Sequence, residues 1–233
     1  MSLVSDRFIV QNLSCPREIM RFRLVYRGAL PATGNSSKKP DVVRQIRDQF
    51  HPQLALLWQT HRALKKLRHA ARVPTEGVQV FPVESGPFGV EFDPSHPVPE
   101  GFVDLSAPVV EGGKTYIPLV RKSLDLTCSL DILFLRQEEP GALILQGGDL
   151  DGRIKTLFDA LRMPNADVAA RHPQAQDPTY CLLENDSLIS SFEVDSDRLL
   201  VPETDHAHEA LLIIDVGINI MRVGSWNSCL MGN

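Results

Sequence analysis

Long apolar runs, paired cysteines and a leader-like N-terminus are missing from this sequence of 233 residues. Its aliphatic run at 211–214 is far shorter than the roughly 20 residues that a membrane-spanning helix needs. The N-terminus lacks the charged, apolar and small-residue order of a secretory signal. The cysteines form no C-x-x-C pair and stand at Cys15, Cys128, Cys181 and Cys229. We therefore expect a cytoplasmic protein with free thiols and no membrane partner.

An excess of positive charge is also missing, since the net charge is −5 and the pI is about 5.8. Nucleic-acid binding depends on Lys and Arg, so this balance argues against a protein that coats DNA. Residues 38–72 are the exception, with nine basic and two acidic residues. This stretch is either a solvated helix surface or a basic face for a polyanion. The candidate contacts to nucleic acid are Lys38, Lys39, Arg44, Arg47, Lys65 and Lys66.

Hydrophobic periodicity predicts an α+β protein, with a mixed β-sheet flanked by helices. Eight prolines and six glycines fall between residues 74 and 118, and we expect a largely irregular insertion there. We expect one domain over residues 1–233, with a surface tail at 224–233. Period-2 alternation predicts strands at 20–26, at 124–135, through Phe192 and Val194, and at 210–221. Helical spacing predicts a helix that begins near Pro40 and stops at Pro52, a second helix at 53–70, and a third that opens at 147–151 and ends at Pro164.

The third predicted helix carries a charged group at its start, made of Asp149, Asp151 and Lys155. Where the chain is still extended before a helix, Asp149 can project to the same side as Asp151, and Lys155 follows Asp151 at i+4. Asp186 adds a further carboxylate. Neighbouring carboxylates repel one another unless a cation neutralises them, and Mg²⁺ prefers oxygen ligands. A lysine beside such a metal can stabilise charge that develops on a phosphate.

The same residues also have a purely structural interpretation. Asp149 or Asp151 can cap the helix, Lys155 can pair with Asp159 at i+4, and Asp186 can sit in a turn. Residue types and spacing alone leave both interpretations open, because acidic residues are common at helix N-termini.

The segment Asp-Leu-Asp-Gly-Arg-Ile-Lys-Thr-Leu-Phe-Asp-Ala-Leu at 149–161 resembles the hallmark of the RusA-type Holliday-junction resolvases. That hallmark is D-L-D-N, a lysine four residues after the second aspartate, and then D-A-L. Asn-Asp-Ser-Leu-Ile at 185–189 is similar to the stretch that carries the family's third essential aspartate. Leu-Pro-Ala-Thr-Gly-Asn at 30–35 is similar to the family's turn after the first strand. Gly152 and Asn185 depart from the pattern.

The resemblance implies a metal-dependent endonuclease of DNA recombination and repair, which cuts four-way junctions as a homodimer with Mg²⁺ or Mn²⁺. It implies that Asp149, Asp151 and Asp186 bind the metal and that Lys155 is catalytic. Two other hypotheses remain. One is a non-catalytic relative that binds nucleic acid or protein, which the acidic pI and Gly152 motivate. The other is a small-molecule phosphoesterase.

Overall fold

The computed structural model describes residues 17–30, 39–61, 64, 71–72, 102–103, 107–137, 150–171, 176–200, 209–223, 227 and 230. Most of the expected insertion at 74–118 and of the expected tail at 224–233 lies outside these residues. The described part is an α+β fold with two mixed sheets and three helices. None of its helices combines the length and apolarity that crossing a bilayer requires.

The larger sheet has four strands in the order β1-β9-β6-β8. These are β1 (Arg17–Ala29), β6 (Leu126–Arg136), β8 (Ile189–Arg198) and β9 (Glu209–Ile220). β9 runs antiparallel to both β1 and β6, and β8 runs parallel to β6. The strands predicted at 20–26, at 124–135, through Phe192 and Val194, and at 210–221 are all confirmed.

One face of this sheet forms much of the core. Along β6 the alternation expected from the sequence is complete, with Leu126, Cys128, Leu130, Ile132 and Phe134 all buried. The residues between them are half-buried or exposed. Alternate side chains of a strand point to opposite faces, so this face packs inside and the other one does not.

The second sheet has three strands in the order β4-β5-β7. They are β4 (Val109–Glu111), β5 (Lys114–Val120) and β7 (Thr179–Leu183), with β4 antiparallel and β7 parallel to β5. A further pair joins β2 (Ala71–Arg72) to β3 (Phe102–Val103). The C-terminal end of the Pro/Gly-rich stretch is therefore regular, because β4 and most of β5 fall within it.

The helices whose bounds lie within the described residues are α1 (Lys39–Thr60), α2 (Leu150–Leu161) and α3 (Ala166–Arg171). α1 contacts β1, β7 and α2. It is continuous through Pro52, so the prediction of two helices separated at Pro52 is wrong. Phe50 and Leu54, each 1% exposed, bury apolar area on both sides of the proline. That burial stabilises the helix by more than the one hydrogen bond that Pro52 cannot donate.

Candidate functional site

The charged motif begins on α2, the helix that the sequence predicts. The apolar residues Ile154, Leu157 and Leu161 recur at helical spacing and are buried. They hold one side of α2 against the core and leave Asp151 and Lys155 on the solvent side. The two side chains are 79% and 64% exposed, respectively. α2 therefore presents the Asp151 carboxylate and the Lys155 ammonium group together on a rigid element.

Asp151 and Lys155 form an ion pair, in which Lys155 Nζ lies 2.9 Å from Asp151 Oδ2. Exposed pairs at i and i+4 stabilise a helix by only about 0.3–0.5 kcal/mol. The alternative pairing of Lys155 with Asp159 does not form. Asp159 instead contacts Lys39 at 2.9 Å and Arg162 at 3.0 Å. The lysine of the motif is thus directed towards the acidic end of α2.

Asp186 opens a 3₁₀ turn, Asp186–Leu188, which joins β7 to β8. Leu188 is buried and anchors this turn, whereas Asp186 is exposed. The Asn185 side chain accepts a hydrogen bond of 2.9 Å from the Ser187 N–H. Asn185, which departs from the family's acidic residue, therefore acts here as a turn cap.

The fold brings α2 and the turn of Asp186 together, with Cα atoms of the two elements within 8 Å of each other. Asp149 lies outside the described residues. In the part of the chain that the structure does describe, no three His, Cys, Asp or Glu side chains are grouped to hold a metal. The described candidate residues are Asp151 and Lys155 on α2 and Asp186 on the adjacent turn.

The chemistry of these donors fits Mg²⁺. Mg²⁺ is commonly held by one or two protein carboxylates and keeps several of its own waters, so exposed carboxylates suit it. Asp151 uses Oδ2 towards Lys155, and Asp186 has no ion pair with any described residue. Asp151 and Asp186 are the described residues that would hold the ion.

Arg153 is a residue of the motif that sequence reasoning overlooked. Its guanidinium Nη1 donates a hydrogen bond to the Leu30 carbonyl at the end of β1. Leu30 begins the stretch 30–35 that is similar to the family's turn, and residues 31–38 lie outside the described part. Arg153 therefore fastens the start of α2 to the edge of the large sheet. Local spacing could not reveal a contact between residues so far apart in the chain.

The expected nucleic-acid contacts are only partly described, since Lys38, Lys65 and Lys66 lie outside the described residues. Lys39 pairs with Asp159, and Arg44 lies 3.6 Å from Asp41. The expectation that Arg47 contacts nucleic acid is wrong, because this residue is only 9% exposed. Its Nη2 donates to the carbonyls of Asp159 and Arg162 at the end of α2, and burial lowers its pKa. Arg47 stabilises the packing of α1 on α2 and offers no charge to a DNA surface.

Two of the expected free thiols are described, and both are buried. Cys128 lies on the inner face of β6 and Cys181 on β7. Burial raises the pKa of each thiol to about 12. A thiolate is the nucleophilic form of cysteine, so neither residue is suited to nucleophilic catalysis.

No protein-family model, curated protein or solved structure matches this chain significantly. The relation to the RusA-type resolvases therefore rests on the motif residues alone and stays a prediction.

Proposed function

We propose that this protein is a Mg²⁺-dependent, structure-selective DNA endonuclease that resolves four-way junctions, as its RusA-like motif implies. Asp149, Asp151 and Asp186 would hold the metal, and Lys155 would contact the phosphate. The observation that supports this proposal most is the exposed Asp151–Lys155 pair on a helix adjacent to the turn that presents Asp186. These side chains contribute little to the packed core, so their chemistry remains accessible to a ligand.

The three described candidate residues, Asp151, Lys155 and Asp186, each have a specific role in this proposal. When bound, Mg²⁺ would supply Lewis acidity towards the phosphodiester and a water of lowered pKa. Asp151 and Asp186 would hold the ion with their carboxylates, beside the position of the scissile phosphate. Lys155, whose ion pair with Asp151 is exposed and weak, would donate to a phosphate oxygen as negative charge develops there. α2 and the capped turn would keep these groups oriented.

A homodimer would suit the substrate, because a four-way junction has approximate two-fold symmetry and productive resolution needs two nicks on opposed strands. Affinity for the DNA would come from Lys38, Lys39, Arg44, Lys65 and Lys66. Arg47 is excluded from this set because it is buried.

The decisive experiment uses a labelled synthetic four-way junction in Mg²⁺. We expect Asp151→Asn to lower the cleavage rate at least about a hundredfold, with junction affinity largely retained. Lys155→Gln should also slow cleavage, because it removes the ammonium without a large change in size. The matched control is Asp167→Asn, at an exposed aspartate in the first turn of α3. Undiminished cleavage by Asp151→Asn would refute the assignment.

A non-catalytic nucleic-acid-binding or protein-binding relative is the second candidate. It is favoured by the acidic pI of about 5.8 and by Gly152, which departs from the asparagine of the family motif. Junction, duplex and single-stranded DNA incubated with Mg²⁺ and then with EDTA separate the two candidates. Nicking that EDTA abolishes would exclude the second candidate. Gel shifts without nicking would favour it and overturn the nuclease.

A further inference from the structure

Among the described strands, β8 lies at the edge of the large sheet, with β6 on one side. The Leu199 N–H, just after β8, donates to the Arg136 carbonyl of β6. In a parallel ladder, alternate residues direct both backbone groups to the same neighbour. Odd-numbered residues of β8 therefore bond to β6, and even-numbered residues direct their N–H and C=O groups away from the sheet.

The outward backbone groups of Phe192, Val194 and Ser196 have no hydrogen-bond partner among the described residues. The next outward N–H, of Arg198, is bonded at 2.7 Å to the Asp197 carboxylate. Most side chains of β8 are exposed on both faces of the strand. Within the described part of the chain, a ladder of three residues is thus open to one more strand.

The side chains of β8 differ sharply between its two faces. Glu193, Asp195 and Asp197 lie in register with Asp131, Leu133 and Leu135, on the outer face of the sheet. Asp131 of β6 lies on this outer face too, whereas its cross-strand partner Asp215 of β9 is paired with Arg21 and Arg23. The opposite face carries Phe192, which is 55% exposed and packs edge-on against Phe158 of α2 at 5.2 Å. The edge is therefore acidic on one face and apolar on the other.

A second copy of β8 does not suit this edge. Pairing β8 with itself would place Glu193, Asp195 and Asp197 beside the same residues of the other copy, and like charges opposite one another destabilise a sheet. A strand with Lys or Arg at alternate positions would instead place its cations beside these carboxylates. Apolar side chains between the cations would lie beside Phe192 and Val194.

We propose that β8 is a docking edge for an extended segment of another protein, in which basic and apolar residues alternate. The segment joins the large sheet as a fifth strand, through the outward backbone groups of Phe192, Val194 and Ser196. Its basic side chains lie over the acidic outer face. The residues of this edge include none of Asp151, Lys155 and Asp186, so peptide binding is measured independently of nuclease activity.

The test uses a capped peptide of alternating lysine and valine, about seven residues long, which is enough to span Phe192 to Arg198. We expect saturable binding in fluorescence anisotropy and slower amide hydrogen exchange at Phe192, Val194 and Ser196. The control peptides are a block sequence of the same composition, the same pattern with glutamate for lysine, and the original pattern N-methylated at every residue. Each control should bind at least about tenfold more weakly, because it lacks the pattern, the charge or the backbone donors.

A matched pair of protein variants tests the acidic face. Asp195→Lys should weaken the lysine–valine peptide about fivefold, because one attractive cross-strand pair becomes repulsive. Asp167→Lys makes the same change of charge on α3 and should leave the affinity unchanged. Circular dichroism melting of both variants checks that they fold.

Several results would overturn the docking edge. Equal binding of the N-methylated or block peptide would reduce the interaction to nonspecific charge attraction. Absence of saturable binding to folded wild-type protein would exclude the edge as a peptide site. Self-association in sedimentation that Asp195→Lys changes would assign the edge to a second copy instead.

Discussion

The two edges of the large sheet, β1 and β8, differ in the hydrogen-bond partners of their outward backbone groups. On β1, the side-chain carbonyl of Gln53 accepts from the Val25 N–H at 2.9 Å, and its amide donates to the Val25 carbonyl at 2.7 Å. Gln49 makes the same pair of bonds to Arg27, at 3.2 and 3.0 Å. The outward backbone groups of Phe192, Val194 and Ser196 on β8 have no comparable partners within the described residues. In this part of the chain, side-chain amides therefore bond to the edge at β1, while the edge at β8 stays open.

Helix geometry explains why two glutamines can seal a strand. Gln49 and Gln53 are four residues apart, which is a rise of about 6 Å along a helix. Val25 and Arg27 are two residues apart, about 6.7 Å along a strand. The spacing of the two glutamines along the helix matches the spacing of the two strand residues closely enough for each side-chain amide to bond to one of them. The comparison shows that a helix beside a strand can satisfy an edge that would otherwise pair with another chain.

The largest expected difference between the two edges is in how much packing there contributes to stability. Substitution of one phenylalanine at each edge tests it. Phe50 of α1, 1% exposed, packs near Tyr26 of β1, whereas Phe192 of β8 is 55% exposed. We expect Phe50→Ala to lower the free energy of unfolding by about 3–5 kcal/mol, and Phe192→Ala by about 1 kcal/mol. Urea denaturation of both variants provides the measurement. Equal losses would show that the β8 edge is as deeply packed as β1.

Removing the seal on β1 should have an intermediate effect. We expect Gln49→Ala with Gln53→Ala to lower the free energy of unfolding by about 1–3 kcal/mol, because four hydrogen bonds at a partly wet edge are replaced by bonds to water. Amide exchange at Val25 and Arg27 should accelerate. The control is Gln45→Ala with Gln59→Ala, at two exposed glutamines of the same helix. Unchanged exchange at Val25 and Arg27 would contradict the sealing role.

The smallest expected effect concerns pH and the attachment of α1 to the second sheet. His51 Nδ1 accepts a hydrogen bond of 3.0 Å from the Tyr180 N–H, and burial lowers the pKa of His51 below its usual 6.5. The unfolded chain therefore takes up a proton first as the pH falls, so stability present above about pH 6.5 is lost below it. We expect the free energy of unfolding to decrease as the pH falls from about 7 to about 5, because the unfolded chain binds the proton at His51 more readily than the folded chain does.

His51→Gln keeps a hydrogen-bond acceptor but cannot titrate in this range, so it isolates the contribution of His51. The slope of unfolding free energy against pH should become shallower in this variant. His61, whose pKa burial also lowers, would account for part of the remaining slope. An unchanged slope in His51→Gln would exclude His51 as the acid-sensitive group.

Much of the fold could be predicted because its elements have regular apolar repeats. β6 alternates over its whole length, and α2 carries Ile154, Leu157 and Leu161 at helical spacing. These patterns predict which face of each element is buried, even when the element that packs against it is unknown. The exposure of Asp151 and Lys155 follows from the same stripe, since the solvent side of α2 lies opposite it.

Predictions that depended on a long-range partner failed. Pro52 was expected to end a helix, but burial on both sides of it keeps α1 intact. Arg47 was expected at the surface, but two carbonyls at the end of α2 hold it inside. The second sheet was not predicted, because β5 and β7 pair across a long separation in the chain.

The sequence by itself determined the α+β class, the helix that carries Asp151 and Lys155, and the four strands of the large sheet. Periodicity is a local property, and each element carries its own. Only the tertiary structure decided which edge is sealed, that Arg47 is a buried anchor, and that α2 lies beside the turn of Asp186. Those outcomes depend on residues far apart in the chain, whose contacts arise only when separate apolar faces are buried together.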